Sequence, residues 1–217
     1  LSEIFTIGLP ALGTTFVSCF GYIAFARMVS GMGTTIFAAH SIAITAEQIV
    51  YIPGYGLRVA TSTLVGNALG EKDIRKLKAT ERVSILITLL IMVVNGIGLY
   101  LFAYPFMRLF TNSVNAARIG SEMLRLVSFS EPFFGLMIVL EGISYGMGRT
   151  KHVFACEAVS MWGIRIFGTF LCVNVFGLGL KAVWLCMIAD NICKAILLYI
   201  FRPKHVEENA DDRGALR

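Results

Sequence analysis

AAHSIAITAEQIVYIPGYGLRVATSTLVGNALG, residues 38–70, is apolar and long enough to cross a bilayer, yet it carries Glu47, Gln48 and Arg58 and is interrupted by Pro53-Gly54. The bilayer interior offers polar groups no water, so charges and a helix breaker within a span are tolerated where the segment faces a cavity or packs on other helices. The stretch therefore reads as part of a path through the membrane rather than as an anchor.

The rest of the chain agrees. Of 217 residues, 56% are hydrophobic and only 15% charged, and the mean hydropathy of +0.73 excludes an ordinary soluble domain. Six segments reach the roughly 20 apolar residues that a span requires: 4–28, 37–66, 83–102, 119–145, 153–176 and 180–201. Turn or charge signals separate them, among them Gly31-Met32-Gly33, Gly70-Glu71-Lys72-Asp73 and Gly148-Arg149-Thr150-Lys151. An all-α membrane protein of six transmembrane helices is expected, with sequential helices antiparallel because the connections are short. The chain begins at Leu1 with neither an initiating Met nor a signal sequence, and so reads as a C-terminal fragment of a longer polypeptide. The acidic stretch 204–217 is expected to be a disordered cytoplasmic tail.

Basic residues are retained on the cytoplasmic side. Lys72, Arg75, Lys76, Lys78 and Arg82 lie in the second connection, Arg149 and Lys151 in the fourth, and Arg202, Lys204, Arg213 and Arg217 in the tail. Both ends of the chain are therefore placed in the cytoplasm and the spans in the plasma membrane. The net charge of +5 is thus a topology signal. It gives no support to nucleic-acid binding, which would need a basic face on a soluble domain.

The five cysteines lie in apolar spans without a C-x-x-C pair, so neither a disulfide framework nor a zinc site is expected. His40, His152 and His205 are scattered over a span, a loop and the tail, and no metal centre is expected from them.

Glu131 is the leading site candidate. It lies within the fourth span beside Pro132, whose ring removes a backbone hydrogen bond and frees a carbonyl one turn back, at Ser128. A carboxylate beside a freed carbonyl can hold a proton or a small cation, as alternating access requires. The competing reading has Glu131 paired with Arg125, Arg58 or Arg165. Glu141 lies about 80° further round the same helix, beside a Gly142-x-x-x-Gly146 spacing that allows close helix contact. Glu47 precedes the Pro53-Gly54 break, with Gln48 beside it and Tyr51 on its face at i+4. That set suits an organic cation through charge and cation–π attraction, or alternatively Glu47 pairs with Arg58. Glu157 and Arg165 share one side of the fifth span. Asp190 and Lys194 share one side of the sixth at the favourable i, i+4 order, and both sets read as structural pairs.

A-A-H-S-I-A at 38–43, I-P-G-Y-G at 52–56 and A-T-S-T-L-V-G-N-A-L-G at 60–70, followed by a basic loop, closely resemble the multidrug and toxic compound extrusion (MATE) family. G-L-P at 8–10, S-E-P-F-F-G-L at 130–136 and G-I-S-Y-G-M-G-R-T-K at 142–151 agree with it. The resemblance implies one six-helix lobe of a twelve-helix, two-lobed MATE-type transporter, here the second. Its partner would be an N-terminal six-helix lobe of the same polypeptide. It further implies efflux of small organic, mostly cationic, compounds in exchange for Na⁺ or H⁺, without a cofactor, by rocking of the lobes. Two positions depart from the pattern: Ser18 stands where some relatives place a glutamate, and Phe134 where they place an aspartate.

A lipid-linked oligosaccharide or polysaccharide flippase of the same superfamily is the alternative that Arg58, Arg125 and Arg165 keep open. A membrane-embedded enzyme would need a catalytic cluster of paired ligands or an activated nucleophile, and the sequence shows none. A channel would show filter residues.

Overall fold

The computed structural model describes residues 2–201, and the expected tail over 204–217 lies outside them. The elements in chain order are α1 (Ser2–Ser30), α2 (Thr34–Gly70), α3 (Ile74–Phe110), α4 (Val114–Ser128), α5 (Glu131–Gly146) and α6 (Thr150–Ser160). A wide π-helical turn (Met161–Ile166), α7 (Phe167–Phe170) and a second π-helical turn (Leu171–Val175) continue α6 as one rod, and α8 (Leu180–Ile200) follows. No strand occurs among the described residues.

Five of these rods are apolar and long enough to cross a membrane, and α4 with α5, bent by 61°, makes a sixth. The protein is thus an all-α membrane protein. Several helices run past the apolar segments that define them, most of all α3. There the Asp73 side chain accepts from the Lys76 backbone N–H at 2.9 Å, so the cap starts the helix in the charged loop. The turns into α2 and α6 use Gly33 (φ 113°) and Gly148 (φ 71°), a backbone region open to glycine at no steric cost.

Two prolines behave differently. The interruption expected at Pro53-Gly54 is absent, and α2 runs unbroken from Thr34 to Gly70. The ring removes one donor from the helix, but Asn95 of α3 donates its side-chain amide to the Val50 carbonyl at 3.1 Å, satisfying an acceptor in the disturbed turn. Pro132, by contrast, sits in the first turn of α5, where its missing N–H costs nothing. The fourth span breaks just before it, at Phe129-Ser130.

The helix α2 is central and packs on α3, α4 and α5, while α1 packs on α6 and α5 on α8. Close approach depends on small residues. A Cβ at Gly142 would lie 2.7 Å from the Arg58 carbonyl oxygen, and one at Gly146 would lie 2.5 Å from that of Ser62. The Gly142-x-x-x-Gly146 spacing is therefore the seam along which α5 meets α2. Two apolar clusters fill the interior. One gathers Phe25, Ala43, Ala46, Ala103, Met107 and Trp184, and the other Val65, Met92, Ile138, Val153, Ala195 and Leu198. Along α2 and α8 the buried residues between these clusters are polar: Glu47 on one, and Asp190, Asn191 and Lys194 on the other.

Gly142→Val forces α5 off the α2 backbone and is expected to cost about 1–3 kcal/mol, seen as a lowered melting midpoint in detergent. Gly98→Ala on α3, where a Cβ meets open space, leaves the midpoint unchanged or slightly raised.

Candidate functional site

Glu131 opens α5 and is fully buried, with neither carboxylate oxygen given a hydrogen-bond partner among the described residues. It is held by close packing. Gly96 of α3 leaves the room for it, since a Cβ there would meet the Glu131 Cβ at 3.2 Å and the Ser128 carbonyl oxygen at 2.7 Å. None of the three arginines weighed as partners takes that role. Arg58 Nη1 binds Glu141 Oε2 at 3.1 Å, Arg165 Nη2 binds Asp190 Oδ2 at 2.8 Å, and the Arg125 guanidinium sits 5.9 Å from the Tyr100 ring centre. Ionised and unpaired, a carboxylate so placed is costly to bury. A proton or a small cation removes that cost.

Glu47 lies within electrostatic reach of Glu131. The Tyr51 hydroxyl donates to Glu47 Oε1 at 2.5 Å, and the Tyr51 ring stacks on Phe134 with centres 3.7 Å apart. Glu47 is thus bonded along its own helix, not to Arg58. Phe134 thus packs on the tyrosine that holds Glu47 and also lines the open cavity described below. Gln48 and Pro53 are both exposed on α2, outside the buried face that carries Glu47 and Tyr51. Pro132 lines a shallow apolar groove of about 460 Å³ at the α4–α5 break, with Gly96 and Ser128. Gly54 is buried, where a Cβ would touch Met92 and Phe134 at 3.4 and 3.5 Å.

Glu141 faces a different space, an open cavity of about 680 Å³ that reaches from α1 and α2 to α8. Its walls carry Arg58, Glu141, Glu157, Arg165 and Lys194, with Tyr22 and Tyr55 among its aromatics. The charges pair across helices. Lys194 of α8 pairs with Glu157 of α6, Ser18 of α1 donates to the other oxygen of Glu157 at 2.5 Å, and Arg165 pairs with Asp190, which also accepts from Ser160. The same-helix pairing expected for Glu157 with Arg165 and for Asp190 with Lys194 is therefore corrected: the pairs cross from the α6 rod to α8. Antiparallel packing is the reason. It sets the earlier residue of one helix against the later residue of the other, a relation that the periodicity of either helix alone does not reveal. The wide π turn carries Arg165, as such turns commonly carry functional or strained groups.

No group of three His, Cys, Asp or Glu residues among the described ones is arranged to hold a metal. The five cysteines are free, although Cys172 and Cys186 lie 3.7 Å apart across the Gly177 turn, a proximity their spacing did not announce.

Lys194→Met alone strands Glu157 and is expected to destabilise the protein by about 3–5 kcal/mol. Lys194→Met with Glu157→Met recovers most of it, as read from melting midpoints in detergent.

Comparison with known proteins places this arrangement. The family model described as MatE matches residues 10–171. A probable multidrug resistance protein NorM of Thermotoga maritima is 30% identical over 201 residues, covering 92% of this chain and 43% of that protein. A MOP superfamily transporter from Pyrococcus furiosus superposes with a TM-score of 0.85 at 17% identity, covering 92% of this chain and 44% of the other. A Vibrio cholerae MATE transporter in the bent form gives 0.82 at 16% identity, covering 95% and 46%. The solved structures establish the shared fold. The chain spans about half the length of the curated relatives it matches.

Proposed function

The chain belongs to the MatE family, and from that premise we propose that it forms one six-helix lobe of a two-lobed transporter exporting small organic, mostly cationic, compounds. Export proceeds in antiport with Na⁺ or H⁺ by alternating access. The observation that carries this reading is Glu131, a fully buried carboxylate with no protein partner among the described residues, seated at the break in the fourth span.

The physical logic runs through that break. Pro132 starts a new helix and Ser128 ends the old one, so the segment between them turns without an intact ladder of backbone bonds. A change of charge at Glu131 alters the cost of keeping its end of α5 sealed against Gly96. Proton or cation uptake favours the sealed packing, and release favours an arrangement that admits water. Glu47 and Tyr51 tie this event to α2, the helix that most of the lobe packs against. Coupling then requires that the substrate-loaded and ion-loaded states differ in their packing at this point.

The proposed setting is the plasma membrane, with both ends of the chain in the cytoplasm. The support is the concentration of Lys and Arg in the α2–α3 and α5–α6 connections. The partner is a second six-helix lobe, supported by the share of the relatives that this chain spans.

Ethidium efflux from energised cells tests the reading. Glu131→Gln is expected to lower ion-driven efflux at least about tenfold, a barrier increase of about 1.4 kcal/mol, with protein level and melting midpoint retained. Glu47→Gln is expected to weaken the dependence on the driving ion. Full efflux in both single variants and in the double variant contradicts the site assignment.

A further inference from the structure

We propose that the open cavity walled by Arg58, Arg165 and Lys194 is a binding site for the carboxylate group of an aromatic organic acid. The inference rests on the transport reading above, to which it adds a ligand class that the acidic pair at Glu47 and Glu131 would not select.

Most of the acceptor atoms in the cavity are already used, and several donors are not. Both oxygens of Glu157 are engaged, one by Ser18 and one by Lys194. Glu141 accepts from Arg58. The acids on the wall are thus largely occupied, and the third partner acid, Asp190, is fully buried behind it. The cations retain capacity. An ammonium has three N–H donors and a guanidinium five, while among the described residues Lys194 has one ion-pair partner and Arg58 donates to a carboxylate through Nη1 alone. Arg165 is nine-tenths buried or more and lines the cavity, yet its Nε has no partner among the described residues. Asn191 accepts from Arg165 through Oδ1 at 3.4 Å, which leaves its amide N–H groups to donate.

Among the described residues Arg58, Lys194 and Arg165 each already have an acid, Glu141, Glu157 and Asp190, so the unused N–H donors rather than a surplus of charge select the ligand: a visiting carboxylate accepts from them, whereas a visiting ammonium would have to displace a cation from its acid. The walls supply the ring contacts. The Arg58 guanidinium lies 5.3 Å from the Tyr55 ring centre and that of Arg165 lies 5.5 Å from that of Tyr22, so each cation stands beside an aromatic face. A flat aromatic acid fits between such faces with its carboxylate on the donors. At about 680 Å³ the cavity lies within the range that holds small organic ligands.

Isothermal titration of the purified protein in detergent with 2-naphthoate and with 2-naphthylmethylammonium tests this, because the two probes share a ring system and differ in charge. The expected result is binding of 2-naphthoate at least tenfold tighter than of the ammonium. Arg58→Gln is expected to weaken 2-naphthoate at least fivefold and Arg58→Lys to restore part of the loss. Selectivity between the probes on the unmodified protein keeps the test independent of whether a variant folds. Tighter binding of the ammonium, binding of 2-naphthoate unaffected by Arg58→Gln in folded protein, or no binding of 2-naphthoate overturns the proposal. Binding of 2-naphthoate without ethidium efflux overturns the transport reading and leaves the site standing. Efflux without 2-naphthoate binding does the reverse.

Discussion

Within a bilayer a polar group has no water to turn to, and every donor or acceptor that the chain buries must be met by the protein itself. Most of this molecule follows from that constraint. The described chain is helical almost throughout because a helix satisfies its own backbone. Where Pro53 disturbs the ladder, a side chain from α3 reaches the Val50 carbonyl, and α2 stays whole. Where acids and bases enter the interior of α6 and α8, they meet in crossed pairs. Such pairs add little net stability over an apolar core, since desolvation offsets most of their attraction. What they fix is register, because sliding α8 along α6 by one turn would leave Lys194 and Asp190 facing no partner.

Against that background Glu131 is the exception. Its carboxylate is buried as deeply as any core residue and has no donor beside it among the described residues. The surroundings are shaped for it rather than collapsed onto it, with Gly96 cut back to leave room and the helix broken just upstream. Exceptions to local consistency are expected where function requires them. Two electrostatic environments thus sit in one helical body: a buried acidic pair, Glu47 and Glu131, and a cavity whose free hydrogen-bonding capacity is donor-rich.

Much of the fold was legible before any coordinates. Apolar length located the helices, and the glycine spacing at 142 and 146 marked a close helix contact, whose partner the structure gives as α2. The Glu131-Pro132 dipeptide marked the place where the fourth span breaks. The i, i+4 relation brought Tyr51 onto Glu47. What was not legible depends on neighbours distant in sequence. Pro53 reads as a break because nothing local reveals Asn95, and Arg58 reads as a partner for Glu47 because nothing local reveals Glu141 across the α2–α5 contact. The pairing of Glu157 with Lys194 needs the antiparallel placement of two helices, which a single-helix periodicity cannot supply. The π turns leave no trace in hydropathy, since a widened turn uses the same apolar residues as an ordinary one.

The central claim is that the Glu131 carboxyl changes its state as the protein works, and infrared difference spectroscopy of the protein in lipid addresses it directly. The account predicts a carboxyl band that responds to a pH or Na⁺ jump and is lost in Glu131→Gln. A difference spectrum in which no responding carboxyl band is removed by Glu131→Gln would contradict it and return Glu131 to the role of a buried residue that only packs.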